Sequence, residues 1–176
     1  MNQKNELPGL KIGPYEFNPP IIQGGMGVRV SASGLASAVS NQGGLGVLAA
    51  VGTGEEWHEP GVPYLERSHK SFREMIQMTR EKTDRPFGVN IMCALTNYDD
   101  LVRVADEAEV DVIISGAGLP LKLPGLVKNS KTRLIPVVSS ARAAKIICST
   151  WKRKFDRLPD AVIVEGSEAG GHLGYS

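Results

Sequence analysis

Two carboxylates and one imidazole sit in a single short run, Glu165-Gly166-Ser167-Glu168-Ala169-Gly170-Gly171-His172-Leu173-Gly174. A histidine in such a loop can transfer a proton near neutral pH or anchor an anionic substrate group; a structural histidine is the alternative. Gly170 and Gly171 allow a backbone to approach a ligand closely. Glu165 directly follows the apolar run Ala161-Val162-Ile163-Val164. It is expected to be largely buried, which demands hydrogen-bond partners or a raised pKa; capping a helix is its other reading. A second run, Gln23-Gly24-Gly25-Met26-Gly27, is either a tight turn or a loop pressed against a flat cofactor ring. Asn90 ends Phe87-Gly88-Val89, and a buried amide needs partners for its donors and its acceptor. The backbone could supply them, or a heterocycle could.

Other chemistry-bearing residues are less pointed. Cys93 and Cys148 form no CxxC and no His/Cys pair at metal-ligand spacing, so no metal site is expected and two reduced thiols are. Cys93 lies just past a predicted strand end, where a nucleophilic thiol competes with an inert one. His58 and His69 read as solvated. Gly116-Ala117-Gly118-Leu119-Pro120 lacks the third glycine of a dinucleotide fingerprint, and there is no Walker sequence. Gly43-Gly44-Leu45-Gly46 reads as structural.

The elements that position these groups alternate strictly. Strands are predicted at 20–26, 45–50, 86–91, 110–115, 134–138 and 161–164. Helices are predicted at 31–41 (capped by Ser31), 64–82, from Asn97 onward (capped by the Asn97 side chain), 119–129, and 141–155 (capped by Ser140). The third helix carries Leu101, Val104, Ala105 and Ala108 at i, i+3, i+4, i+7. Strand–helix alternation implies parallel strands with right-handed crossovers. A doubly wound sheet and a (β/α)8 barrel both fit. Both place ligands at the carboxyl ends of the strands, where Gly24 to Gly27, Asn90, Gly116 to Gly118, Ser139-Ser140 and Glu165 to Gly174 are expected to fall, while Gly43 to Gly46 would lie at the opposite end. Polar or glycine groups at several strand ends favour the barrel. Only about six βα units are present, so the chain is expected to be the N-terminal portion of a longer barrel.

The chain has 176 residues with 41% hydrophobic and 22% charged content, the composition of one globular domain over residues 1–176. A formal net charge of +1 argues against nucleic acid and anionic membrane as partners. No apolar run approaches the ~20 residues that cross a bilayer. Residues 1–7 carry no apolar signal segment, so a cytoplasmic location is expected.

Taken in order, Pro20-Ile21-Ile22-Gln23-Gly24-Gly25-Met26-Gly27, Gly43-Gly44-Leu45-Gly46, Phe87-Gly88-Val89-Asn90 and the Glu165 to Gly174 run resemble the nitronate monooxygenase family, also called 2-nitropropane dioxygenase-like. That family includes flavin-dependent enoyl-ACP reductases. The resemblance spans about residues 18 to 174. It implies a TIM barrel binding FMN non-covalently, with Gly25, Met26 and Gly27 along the isoalloxazine and Asn90 bonded to it. Glu165, Gly170 and Gly171 would lie around the flavin. His172 would be the catalytic histidine, holding the anionic nitro group or abstracting the α-proton of a neutral nitroalkane. The implied reaction is oxidation of an alkyl nitronate with oxygen to a carbonyl compound and nitrite.

The nitronate enzymes usually carry Ala-Pro-Met after the first-strand Gln; Gly24-Gly25-Met26 looks more like the enoyl-ACP reductase branch, which uses NAD(P)H and an enoyl thioester. The stretch 52–63 is longer than either branch leads one to expect. A reading of a different class is a non-catalytic fragment acting by association, including with a second copy of itself. A fragment of this length is expected to bind FMN poorly and to aggregate.

Overall fold

In the computed structural model, residues 7–27, 29–55 and 60–170 are described. The chain begins with a two-stranded antiparallel hairpin, β1 (Leu10–Ile12) and β2 (Tyr15–Phe17), joined by Gly13-Pro14. Gly13 has a φ of 56°, and a Cβ there would lie 2.7 Å from Arg133 Cδ, so both backbone shape and space require glycine.

Then follow α1 (Ser33–Asn41), β3 (Gly46–Ala49), α2 (Tyr64–Arg80), β4 (Phe87–Met92), α3 (Tyr98–Glu107), β5 (Val112–Gly116), α4 (Leu123–Leu126), β6 (Arg133–Val138), α5 (Ala141–Phe155) and β7 (Ile163–Val164). Strands β3 to β7 form one parallel sheet in sequential order. A parallel bridge between Ile22 and Leu45 sets a further segment beside β3.

Two apolar clusters separate the faces of this sheet. Leu48, Phe87, Val89, Ile91, Ile113, Leu134 and Val138 pack with residues from all five helices, among them Ala36, Phe72, Leu101, Leu123 and Trp151. Val47, Val112, Ile114 and Ile135 point the other way and pack against Ile12 and Phe17 of the hairpin. A doubly wound sheet carries helices on both faces and reverses its strand order. Here the helices keep to one face and the order never reverses, which excludes that alternative for the described residues. Helices cover one face of the sheet, and the hairpin covers the other at the amino ends of the strands.

Charged groups secure that end. Asp111 accepts from Tyr15 Oη (3.1 Å), Arg80 Nη1 (3.2 Å) and the Phe87 N–H (3.1 Å). Asp160 accepts from Arg133 Nη1 (3.1 Å) and the Leu134 N–H (2.9 Å). No helix among the described residues is long and apolar enough to cross a membrane.

Four local expectations are corrected. Residues 20–26 do not form a strand. The backbone pairs with β3 only through Leu45 N–H to Ile21 O and Gln23 N–H to Leu45 O, both 2.9 Å. The Gln23 side-chain amide then takes over the ladder, donating to Val47 O (2.9 Å) and accepting from Val47 N–H (3.3 Å), so the backbone is free to turn away. Ser31 does not cap α1, whose N-cap is Ala32 without a side-chain bond. Asn97 precedes α3 but donates its amide to Ser68 Oγ (3.2 Å) instead of capping. The helix expected over 119–129 shrinks to Leu123–Leu126, as the proline and glycine in this stretch predispose. Ser140, by contrast, caps α5 as read, accepting from the Ala143 N–H at 3.2 Å.

Candidate functional site

Because all strands of the sheet are parallel, their carboxyl ends gather at one end of the molecule. Gly116–Gly118, Ser139-Ser140 and Glu165–Gly170 end or follow strands there, Asn90 lies in the second half of β4, and Gly24–Gly27 follow the Ile22–Leu45 bridge. Residues far apart in sequence are thereby brought to one rim.

Asn90 is the inward-facing polar residue of β4. Side chains alternate along a strand, so Val89 and Ile91 point to the helices and Asn90 to the opposite face. It stands in register between Ala49 and Ile114, in otherwise apolar company. It is half-buried, and its amide makes no side-chain hydrogen bond among the described residues. An amide leaves such a position unpaired at a cost unless a ligand or water meets it.

The Gly24–Gly27 loop lies against this residue. A Cβ on Gly25 would run into the Asn90 side chain, with Asn90 Cγ at 2.7 Å, and a Cβ on Gly27 would stand 2.7 Å from Val51 Cγ1. Glycine is therefore required here by packing before any ligand is considered. Gly24 has nothing within 4 Å of such a Cβ. Met26 presents an apolar side chain that is 46% exposed. Ser31 ties the loop together: its hydroxyl donates to Gly24 O (2.9 Å) and accepts from the Met26 N–H (3.0 Å) and Gln23 Nε2 (2.8 Å).

Glu165 is half-buried rather than largely buried. It comes immediately after β7, where its N–H donates to Val138 O at 2.8 Å. The two-residue strand leaves it on the rim and not under the core. Gly170 is exposed, with open space around it. Gly171, His172 and His58 lie outside the described residues. His69 is half-buried on α2, with Nε2 4.0 Å from Asp100 Oδ2, on the helix layer away from Asn90.

Two cavities open at or near this rim. One, of about 250 Å³, lies between α1 and α2 beside Val51 and is lined by Arg29, Ser33, Thr53 and Glu74. The other, of about 530 Å³, lies between the loops after β4 and β5, with Cys93, Thr96, Asp99 and Lys122 on its walls. Cys93 is no activated thiol: burial pushes its pKa up, outweighing its contacts with Ser115 and Tyr98. A reactive cysteine needs the opposite shift. Burial likewise drives the Tyr98 hydroxyl far above its ordinary range, so the Cys93–Ser115–Tyr98 cluster stays neutral. The glycines at 43 and 46 are structural: a Cβ on either would strike a backbone carbonyl, of Asn18 and Ala36 respectively.

Sequence reading singled out the glycine loop and Asn90 but missed what shapes them. The roles of Ser31 and Gln23 depend on contacts that no periodicity reports.

A family model described as nitronate monooxygenase matches residues 10–102 and 94–176. The chain is 30% identical to a hydroxy-methyl-oxo-octahydro-indene-carboxyl-CoA dehydrogenase of Rhodococcus jostii, over 88% of this chain and 38% of that protein. It is 29% identical to the nitronate monooxygenase of Pseudomonas aeruginosa, over 88% of this chain and 49% of that one. The structure of FabK from Thermotoga maritima superimposes with a TM-score of 0.69 and 37% identity, covering 89% of this chain and 43% of that one. The chain thus spans less than half the length of these relatives.

Proposed function

This chain belongs to the nitronate monooxygenase family, and from that premise we propose that it forms the ring-facing part of an FMN site in a (β/α)8-barrel oxidoreductase. The observation that carries the reading is Asn90, whose amide makes no side-chain hydrogen bond among the described residues, on an apolar inner face against the glycine-rich Gly24–Gly27 loop. A flat heterocycle with donors and acceptors along its edge matches both features: the loop admits the ring, and the amide bonds its edge. The residues present fit FMN, with Gly25, Met26 and Gly27 along the ring and Asn90 bonded to it. Glu165, Gly170, Gly171 and His172 are proposed to line its reactive side. Bound FMN would supply the electron acceptance that no side chain can. This chain's share is binding, orientation and, at His172, proton transfer or retention of an anionic substrate group.

The proposed reaction is oxidation of an alkyl nitronate with oxygen to a carbonyl compound and nitrite, the activity that one relative's name carries. A second reading is reduction of an enoyl thioester with NAD(P)H. Gly24-Gly25-Met26 after Gln23 favours it, as does the CoA thioester named in another relative. We place the protein in the cytoplasm, with small-molecule substrates and no metal.

The test begins with the visible spectrum of the chain purified with FMN and then desalted. A retained, perturbed flavin spectrum supports the site; a colourless protein shows that these residues do not hold the ring by themselves, and absence of flavin from a chain carrying a complete barrel then refutes the reading. Nitrite release from a nitronate under oxygen, set against NAD(P)H consumption with an enoyl thioester, then separates the two reactions. In a full-length version, His172→Ala should cut turnover at least about 100-fold, the usual scale for a lost general base, with flavin content unchanged. Loss of flavin instead would make His172 structural.

A further inference from the structure

The loop after Ile22 has one hub. Ser31 is 1% exposed, and its hydroxyl uses its full capacity of one donor and two acceptor sites, on Gly24, Met26 and Gln23. Gln23 is itself locked to both backbone groups of Val47 on β3. A continuous path therefore runs from the sheet backbone through Gln23 and Ser31 to the residues on either side of Gly25. The Ser31 carbonyl adds a tether of its own, accepting from the Ala49 N–H at 3.0 Å. Gly25 is suspended between two anchored neighbours and seated on Asn90. Without the hub, three glycines within four positions would leave this loop among the most mobile in the chain, and ordering it would fall to the ligand.

We propose that Ser31 is a positioning residue: it preforms the Gly24–Gly27 loop so that the ring meets a surface already in its bound shape. The proposal rests on the FMN reading above. A preformed loop raises affinity by removing the ordering cost from the binding step. Ser31 touches the loop's backbone, not the ring.

The test combines FMN titration by flavin fluorescence with amide hydrogen exchange at Met26 in FMN-free protein. Ser31→Ala should weaken FMN binding about tenfold, the scale of one or two lost hydrogen bonds, while the melting temperature of the FMN-free protein moves little. Ser31→Thr keeps the hydroxyl and should remain within about threefold of wild type. The Met26 amide should exchange slowly in wild type and rapidly in Ser31→Ala. Unchanged FMN affinity in Ser31→Ala overturns the proposal, as does a Met26 amide that exchanges in wild type at the rate of an open loop. Should Ser31→Ala not fold, the wild-type Met26 rate and the Ser31→Thr affinity decide. If the wild-type chain takes up no FMN, the affinities are read in a chain carrying a complete barrel: failure of that chain to bind FMN defeats the flavin reading, while the Met26 rate still decides the clamp.

Discussion

At the scale of single residues, the site depends on atoms that are missing as much as on those present. Gly25 lacks a Cβ where Asn90 occupies the space. Gly25→Ala should therefore push the loop and Asn90 apart, weakening FMN binding by about tenfold or more, since a misplacement of about 1 Å is costly at a preorganised site. A fluorescence titration checks this, and an unchanged dissociation constant would show that the loop is not in the site. The buried hydroxyls and thiol make a second prediction. Cys93, Tyr98 and Tyr15 all have pKa values raised by burial, with Asp111 adding to the effect at Tyr15. Each binds its proton more tightly folded than unfolded. Their contribution is complete below the unfolded values and is lost as pH rises above them, beginning near the ordinary thiol value of 9.0. Urea denaturation at a series of pH values should show stability falling on the alkaline side, and Tyr98→Phe should lessen the fall.

At the scale of elements, the hairpin and α5 close the two faces of the sheet. Phe17 of β2 is buried in the inner cluster with Val47, Val112, Ile114 and Ile135. Phe17→Ala should cost about 3–5 kcal/mol by chemical denaturation, the range for emptying an aromatic core position. Trp151 of α5 is fully buried and also donates Nε1–H to Pro120 O at 2.9 Å. Trp151→Phe should cost less than truncation, but still about 1–3 kcal/mol, because it orphans a buried carbonyl. Both elements differ in how readable they were. Ala144, Ile147, Trp151 and Phe155 of α5 fall on one face at helical spacing, a pattern the sequence alone displays. The hairpin was not read, although Leu10-Lys11-Ile12 and Tyr15-Glu16-Phe17 alternate around a Gly-Pro turn. Strands of three residues fall below the length at which alternation separates from chance.

At the scale of the whole molecule, the sheet ends among the described residues on β7, a two-residue edge strand. Val164 on β7 is 73% exposed, and Val162 and Leu158 are exposed nearby. Exposed apolar strand edges promote pairing between chains. The chain is expected to associate at high concentration, and Val164→Lys should shift light scattering toward the monomer. A monomeric wild-type chain at all concentrations would contradict this.

What the sequence by itself determined is the alternation of strands and helices, hence a parallel sheet with the glycine loop, Asn90 and Glu165 at one end. Local patterns report these directly, because periodicity and capping act over a few residues. The motifs Gly24–Gly27, Asn90 and Glu165–Gly174 were legible for the same reason. Only the tertiary structure decided that all helices share one face, that Glu165 sits on the rim, and that Gln23 and Ser31 shape the loop. Those outcomes follow from contacts between segments distant in sequence. A serine before a helix looks the same whether its hydroxyl caps that helix or, as here, holds a loop in place.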